Sequence, residues 1–410
     1  MGKATLGCSK CGASVKWGNH YFCPVCGSHL EVSYKYNQMD ARRIRADVKN
    51  AQRFWDYREL LPVSNPEDEV TLGEGNTPLL SSARLGEQLG IHLYFKDETR
   101  NPTGAFKDRP NVVGVSVAKS MGIRTVTIAS TGNGAASLAA YAAKDGMSCY
   151  VFVPHTTPAP KVAQAAVYGA QIVRVKGDYS KAYQLALSAA QNFQWGNLTS
   201  TYLNPFTLEG DKTIAYEIFC QMNEQVPDWI VVPLGAGAML TGIYKGFQEL
   251  CLFGLAEKLP KMIGVQADGC APIIRAFEKG ESSVRPWQSP ATVAGGICDP
   301  LDGYAEDGTR TLQTIRASHG QGVMVTDHEI MKALLQLAQK EAVFCEPASA
   351  ASQAAVQKLI EKGIIRAEEK VVEIITGHGL KDIECVMTTQ KSVDAIEPDL
   401  KALCEKYKIT

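Results

Sequence analysis

Short apolar runs closed by a glycine or a polar cluster recur along most of this chain. Each is followed by a longer stretch where small apolar residues return at helical spacing. Residues 124–130 (R-T-V-T-I-A-S), 148–154 (S-C-Y-V-F-V-P) and 171–175 (Q-I-V-R-V) read as strands. The segments after them, A-A-S-L-A-A-Y-A-A-K from Ala135, K-V-A-Q-A-A-V-Y-G from Lys161 and Y-S-K-A-Y-Q-L-A-L-S-A-A from Tyr179, read as helices. D-W-I-V-V-P-L-G, M-I-G-V-Q-A and V-V-E-I-I-T-G continue the pattern further on. Short buried strands alternating with helices predict an α/β fold with mostly parallel sheets covered on both faces. Ligands bind such sheets outside the carboxyl ends of the strands. That singles out the loops at Ser130, Gly235 and Thr376. No long repeat and no low-complexity segment interrupts the pattern.

The first thirty-odd residues break it. C-S-K-C from Cys8 and C-P-V-C from Cys23 are two C-x-x-C turns separated by residues 12–22, and Gly12 and Gly27 directly follow them. Two such turns present four thiolates to one ion, the spacing of a structural zinc ribbon. With Cys8, Cys11, Cys23 and Cys26 all ligating, the ion keeps no open position, so it is expected to support folding. The ribbon is expected over residues 1–33. Residues 34–69 are largely polar, with Trp55 and Tyr57 among them, end in P-V-S-N-P-E-D-E, and read as a connecting arm. The body is expected over 70–395, with a smaller α/β subdomain inserted at roughly 110–205, and a tail over 396–410.

Bulk properties narrow the function. The chain has 410 residues, too many for one ordinary core. Its formal charge is -1, which offers no basic field for nucleic acid or anionic lipid. No apolar run reaches the roughly 18 residues of a membrane span. The start, M-G-K-A-T-L-G-C, lacks the apolar stretch of a secretory signal. Cysteines beyond the ribbon are scattered singly from Cys149 to Cys404, so a reducing cytoplasm is the expected location.

Candidate chemistry centres on K-D-E-T-R-N-P-T-G-A-F-K-D-R from Lys96. Lys107 sits behind Phe106 and just past Gly104. A lysine held in a dry pocket has a lowered pKa and condenses with aldehydes. In V-P-L-G-A-G-A-M-L-T from Val232, small residues at Gly235, Ala236, Gly237, Ala238 and Met239 let backbone N–H groups converge on an anion before a helix that starts near Thr241. A plain strand-to-helix turn is the alternative. S-T-G-N-G-A-A-S from Ser130 offers N–H donors suited to a carboxylate, with Asn133 in reach of a planar ligand, or else a helix cap. In I-T-G-H-G-L-K-D, Thr376 can make one neutral hydrogen bond, and His378 is a catalyst or a structural loop residue. An anion cradle, a ring partner, a carboxylate loop and a reactive lysine are together the parts that hold pyridoxal phosphate and an amino acid.

The same stretches resemble the threonine synthases, in the tryptophan-synthase-β group of pyridoxal-phosphate enzymes. The resemblance runs in order through G-E-G-N-T-P-L from Gly73, the Lys96 segment, the Ser130 segment, L-E-G-D-K-T-I-A-Y-E-I from Leu208, F-C-E-P-A-S-A-A-S from Phe344 and I-T-G-H-G-L-K-D from Ile375. It implies two open, mostly parallel-sheet domains of the fold type II architecture plus the small ribbon. It implies Lys107 as the Schiff-base lysine, Asn133 at the cofactor's 3′-oxygen, Gly235 to Met239 as the phosphate loop and Thr376 facing the pyridine nitrogen. Ser130, Thr131, Gly132 and Asn133 would hold the substrate carboxylate, with Arg109 and Lys161 as cations near the substrate phosphate. The implied reaction converts O-phospho-L-homoserine and water to L-threonine and phosphate, in a monomer or homodimer. Four positions depart from the usual pattern: Pro110 for glycine, Gly134 where a hydroxyl residue is usual, G-A-G-A-M for G-N-x-G-N, and Thr207 where many members carry arginine. These departures keep open a dehydratase, or a β- or γ-replacement enzyme on another phosphorylated or acylated amino acid. A non-catalytic, metabolite-binding relative is the remaining alternative, against which Lys107, Asn133 and Thr376 all speak.

Overall fold

A computed structural model describes residues 4–199, 202–389 and 394–409. The ends of the expected ribbon and tail at 1–3 and 410, and the expected end of the body at 390–393, therefore lie outside the described residues. The ribbon is a small antiparallel sheet in the order β2-β1-β3, with β1 Ala4–Cys8, β2 Ser14–Val15 and β3 Leu30–Tyr34. The remaining strands follow in chain order as β4 Leu79–Ser81, β5 His92–Asp97, β6 Thr125–Ala129, β7 Ser148–Pro154, β8 Gln171–Val175, β9 Gly196–Asn197, β10 Trp229–Pro233, β11 Lys261–Ala267, β12 Gln321–Val325 and β13 Lys370–Ile375. They form a four-stranded parallel sheet, β8-β7-β6-β9, and a six-stranded sheet, β12-β11-β10-β13-β5-β4, that is parallel except for β4.

Six of these strands, β6, β7, β8, β10, β11 and β13, are those the apolar runs predict. Every residue of β10 is buried, as are all but the first of β11 and β13. Between β5 and β10 the chain leaves the large sheet, builds the small one and returns. β13 then inserts between β10 and β5, where the strand order reverses, the point at which sheets of this kind bind ligands outside their carboxyl ends. The exit of β13 is stitched to the loop after β5: Phe106 N donates to Thr376 O at 2.9 Å, and His378 N to Gly104 O at 2.9 Å.

Three features differ from expectation. Residues 34–69 are more than a connector. They contain the helix Ala41–Asn50, capped by Asp40, and a short helical turn Phe54–Leu60 whose Phe54, Trp55, Tyr57 and Leu60 are buried. Trp55 Nε1 donates to Val70 O at 2.9 Å and the Tyr57 ring lies 5.1 Å from that of Tyr216. The helix after the Gly235 loop begins at Ala238, three residues before Thr241. The tail carries a helix of its own, Leu400–Tyr407.

The ribbon is not an appendage. Leu6, Leu30, Val32 and Tyr34 belong to the same apolar core as Ile214, Tyr216 and Phe247. Tyr34 also donates to Glu209 Oε2 at 2.8 Å. A cleft of about 840 Å³ remains between the ribbon and the helices Ala238–Leu252 and Ala305–Ala317; Lys107 is not among its lining residues. No helix among the described residues is long and apolar enough to cross a membrane.

Candidate active site

Lys107 stands where the β5 loop turns into the helix Asp108–Ser120. The loop is held from within. Asp108 accepts from Thr103 N at 2.7 Å and Thr103 Oγ1 at 2.6 Å, which fixes the P-T-G turn against the start of the helix. The Lys107 amine lies 4.3 Å from the Phe106 ring centroid and has no hydrogen-bond partner among the described residues. Burial lowers its pKa, while Asp211, Asp299 and Glu346 pull the other way. The result is an amine biased toward its neutral, nucleophilic form and facing three carboxyl groups.

The other strand-end loops surround that amine. Thr376, after β13, is fixed by Ser349: the two hydroxyls are 2.7 Å apart, and Ser349 Oγ accepts from Thr376 N at 2.9 Å and Gly377 N at 3.1 Å. Glu346 bridges the two expected ring partners, accepting from Asn133 Nδ2 at 2.9 Å and from Thr376 Oγ1 at 3.1 Å. Burial raises the pKa of Glu346, opposed by those hydrogen bonds and by Lys381. Burial likewise raises Asp299, and it pushes Asp211 up to about 7 despite the nearby Lys107 charge.

Two helices point uncapped N-termini into this region. Asn133–Asp145 begins after Gly132 and Ala238–Leu252 after Gly237, and neither has a side-chain cap. Among the described residues Ser130 Oγ accepts only from Gly132 N, at 3.4 Å, and the Ser/Thr cap expected as the alternative for this loop does not form. Unsatisfied N–H groups at a helix start, with the dipole behind them, suit an anion. The Gly235–Met239 loop is packed closely against Thr311 and Asp299, and position 237 requires glycine. Gly237 has φ 91° and a Cβ there would overlap the Thr311 side chain, while a Cβ on Gly235 would meet the Asp299 carboxylate at 3.4 Å. Ala236 and Met239 are buried, and Thr311 Oγ1 donates to Ala236 O at 2.6 Å.

Arg109 requires a correction. It does not reach toward a substrate phosphate but is fully buried on the other side of the helix start. Its guanidinium spans Glu98, at 2.7 and 2.8 Å, and Glu217, both at 2.7 Å, with Thr213 and Thr77 completing the set. No donor is left for a ligand. Thr207 is buried too, donating to Asn204 O at 2.9 Å, with its methyl against Gly114. Lys161 is partly exposed, its amine 3.9 Å from Asp382 and 3.4 Å from where a Cβ on Gly295 would stand. His378 caps the turn Gly379–Asp382 by accepting from Leu380 N at 3.2 Å, which favours the structural reading.

Glu346, Asp211, Asp299 and Lys381 escaped the sequence reading. Lys381 donates to Gln164 Oε1 at 2.8 Å, and burial lowers its pKa against the pull of Glu346 and Asp108. Glu346, Asp211 and Lys381 lie inside the stretches that carry the resemblance, so only their direction is hidden in the sequence; Asp299 has no local signal at all.

In the ribbon, the sulfurs of Cys8, Cys11, Cys23 and Cys26 all lie within 4.8 Å of one another, with Cys8–Cys26 at 3.4 Å and Cys11–Cys23 at 3.8 Å. A tetrahedron with metal–sulfur bonds of about 2.3 Å has edges of roughly 3.8 Å. Gly12 and Gly27 have φ of 70° and 73°, and each donates back to the carbonyl of the first cysteine of its turn.

Comparison with known proteins fits this geometry. The model of the family described as pyridoxal-phosphate dependent enzyme matches residues 70–377. The chain is 41% identical over 399 residues to a threonine synthase of Methanocaldococcus jannaschii, covering 97% of both chains. It is 40% identical over 405 residues to one of Methanosarcina acetivorans, covering 98% of both. Among solved structures, it resembles the processed form of threonine deaminase isoform 2 from Solanum lycopersicum, with TM-score 0.66, 20% identity and coverage of 85% of this chain and 92% of that one. A pyridoxal 5'-phosphate-dependent aspartate racemase follows at TM-score 0.65 and 23% identity, over 83% of this chain and 96% of that one. These structures share the fold. The sequence relatives go further: the chain belongs to the pyridoxal-phosphate dependent enzyme family, among its threonine synthases.

Proposed function

We propose that the protein is a threonine synthase, using pyridoxal phosphate to convert O-phospho-L-homoserine and water into L-threonine and phosphate. The observation that carries this reading is the Lys107 amine, without a hydrogen-bond partner, among four strand-end loops of which two are uncapped helix starts. The bound cofactor supplies an electron sink that labilises bonds at the substrate carbons. Lys107 would hold it covalently, and its amine is the group placed to take and return protons at those carbons. Residues 235–239 and the N-terminus of Ala238–Leu252 bind its phosphate. Thr376, oriented by Ser349, offers the ring nitrogen a neutral partner, and Asn133 the 3′-oxygen. The Ser130–Asn133 loop and its uncapped helix bind the substrate carboxylate. Overall, the Cγ–O bond breaks and phosphate leaves with a proton, one hydrogen on Cβ is replaced by the hydroxyl of water, and Cγ gains a hydrogen to become the methyl group.

With Arg109 locked in the core, Lys161 and Lys381 are the cations assigned to the substrate phosphate. One observation favours a second reading, replacement or elimination on a different phosphorylated amino acid: position 207 presents a buried threonine and no charge. Phosphate and threonine release from O-phosphohomoserine, compared with O-phosphoserine and threonine as substrates, separates the two. Borohydride reduction is expected to fix the cofactor on Lys107, and Lys107→Ala to abolish turnover. Release of phosphate from O-phosphoserine alone would replace the first reading by the second.

A structural Zn²⁺ on Cys8, Cys11, Cys23 and Cys26 belongs to the same proposal. Elemental analysis is expected to find about one zinc per chain, lost in Cys23→Ser. The enzyme is read as cytoplasmic, a monomer or homodimer.

A further inference from the structure

We infer that the ribbon acts on the cofactor site, with His29, Asp307, Tyr202 and Thr311 serving as positioning residues that set the geometry of the 235–239 phosphate loop. The inference rests on the cofactor assignment above and adds a role for the ribbon within it.

The path is continuous. His29 is clamped beside both cysteine turns. Its carbonyl accepts from Ser9 N at 3.2 Å and Ser9 Oγ at 3.1 Å, just after Cys8, while the neighbouring Ser28 carbonyl accepts from Cys23 N at 2.8 Å. An ion gathering the four sulfurs therefore fixes the backbone that carries the imidazole. His29 Nε2 meets Asp307 Oδ1 at 2.8 Å, with side chains 8% and 2% exposed. The other oxygen of Asp307 accepts from Tyr202 N at 3.0 Å. The Tyr202 hydroxyl lies 2.8 Å from Thr311 Oγ1, 2.6 Å from Thr241 Oγ1 and 3.4 Å from Gly237 O. Thr311 closes the path by donating to Ala236 O at 2.6 Å, with its side chain filling the space a Cβ on Gly237 would need.

The ribbon grips the Ala305–Ala317 helix at two further points. Ser28 Oγ donates to Glu306 Oε1 at 2.9 Å, and Arg310 reaches Glu31 Oε2 at 2.8 Å while its guanidinium lies 4.8 Å from the Tyr202 ring centroid. Mere covering of apolar surface needs none of this. A buried polar pair such as His29–Asp307 carries a desolvation cost that apolar packing avoids, and what it gains is a defined position. Here that position is one turn of helix from the residue that holds the loop.

The test uses the full-length apo-protein, zinc-loaded, titrated with pyridoxal phosphate by quenching of intrinsic fluorescence. Thr311→Val removes the donor to Ala236 and Thr311→Ser retains it. The valine variant is expected to bind about three- to tenfold more weakly, the cost of one hydrogen bond, and the serine variant to recover. His29→Gln and removal of zinc by a chelator are each expected to weaken binding in the same direction. Effects of His29→Gln and Thr311→Val should be non-additive, because they act on one path. The melting temperature of each apo-protein separates this from general loosening. Wild-type affinity in both His29→Gln and folded zinc-free protein would overturn the inference; if chelation unfolds the chain, the zinc-loaded His29→Gln decides alone. Wild-type protein that never binds pyridoxal phosphate would instead remove the cofactor assignment itself.

Discussion

An amine that must be neutral to react gains from desolvation and loses from each carboxylate that faces it. Lys107 experiences both, and Asp211 is the adjustable part, its carboxyl pushed up to about 7 by burial. The ionised carboxylate favours ammonium, so removing it lowers the Lys107 pKa. In Asp211→Asn, the pH profile for capture of pyridoxal phosphate by apo-protein should move to lower pH and lose its inflection near neutrality. Stopped-flow fluorescence between about pH 5.5 and 9 would show it, bracketing the ordinary range of such shifts; an alkaline displacement would refute the assignment. Lys107 was legible because its surroundings form a recognisable stretch. Arg109 was misread for a geometrical reason. Two residues apart at a helix start, Lys107 and Arg109 point to different sides, one toward Asp211, Asp299 and Glu346 and one into the core. Of the two carboxylates that claim Arg109, Glu98 stands in the same stretch, but Glu217 is 108 residues away in sequence and invisible from the local pattern.

Strands were the most legible elements, because burial on both faces writes a run of apolar residues that needs no tertiary context. The helix after β10 was placed late because its first residues, Ala238 and the glycines before it, carry no periodic signal. Residues 34–69 were undervalued since their aromatic anchors sit in a short irregular turn among polar neighbours. What the sequence could not express is that the Gly237 conformation is required twice over, by a φ of 91° and by the Thr311 side chain. Gly237→Ala should therefore displace the loop. Positive φ for a non-glycine residue costs about 1 kcal/mol or more before the overlap with Thr311 is added. Cofactor affinity is expected to fall by at least about tenfold, with a smaller loss of melting temperature. Gly254→Ala is the control, since that glycine has φ 66° but nothing within 4 Å of its Cβ position. Equal losses of affinity in the two variants would mean that backbone strain alone, and not the loop's packing, is being measured.

The organisation of the molecule was legible as separate pieces; their fusion was not. The ribbon shares a core with the body, and a buried ion network crosses from β5 and its loop through Asp108–Ser120 to the helix Thr213–Gln221. Glu217 is the centre, binding Arg109 twice and Lys96 at 2.6 Å, while Lys96 also donates to Thr77 O at 2.6 Å and Gln221 at 2.9 Å. Since Arg109 lies two residues beyond Lys107, this network anchors the helix start that aims the reactive amine. Burial alone would raise the Glu217 pKa, but Arg109 and Lys96 lower it from 4.5 to about 2. A depressed carboxylate pKa contributes stability that is fully present above 4.5 and is lost as pH falls through about 2. Glu217→Gln leaves Arg109 and Lys96 undercompensated in the core, costing on the order of 3–5 kcal/mol at neutral pH. Below about 4.5 the unfolded chain takes up a proton at Glu217 while the folded protein keeps it ionised down to about 2, so the gap between the two proteins should begin to narrow on acidification from pH 7 to about 3.5. Urea unfolding of both proteins at several pH values measures that gap directly. A gap that stays constant over the range would show that the loss in Glu217→Gln comes from packing, and that the network does not hold the Lys107 helix by charge.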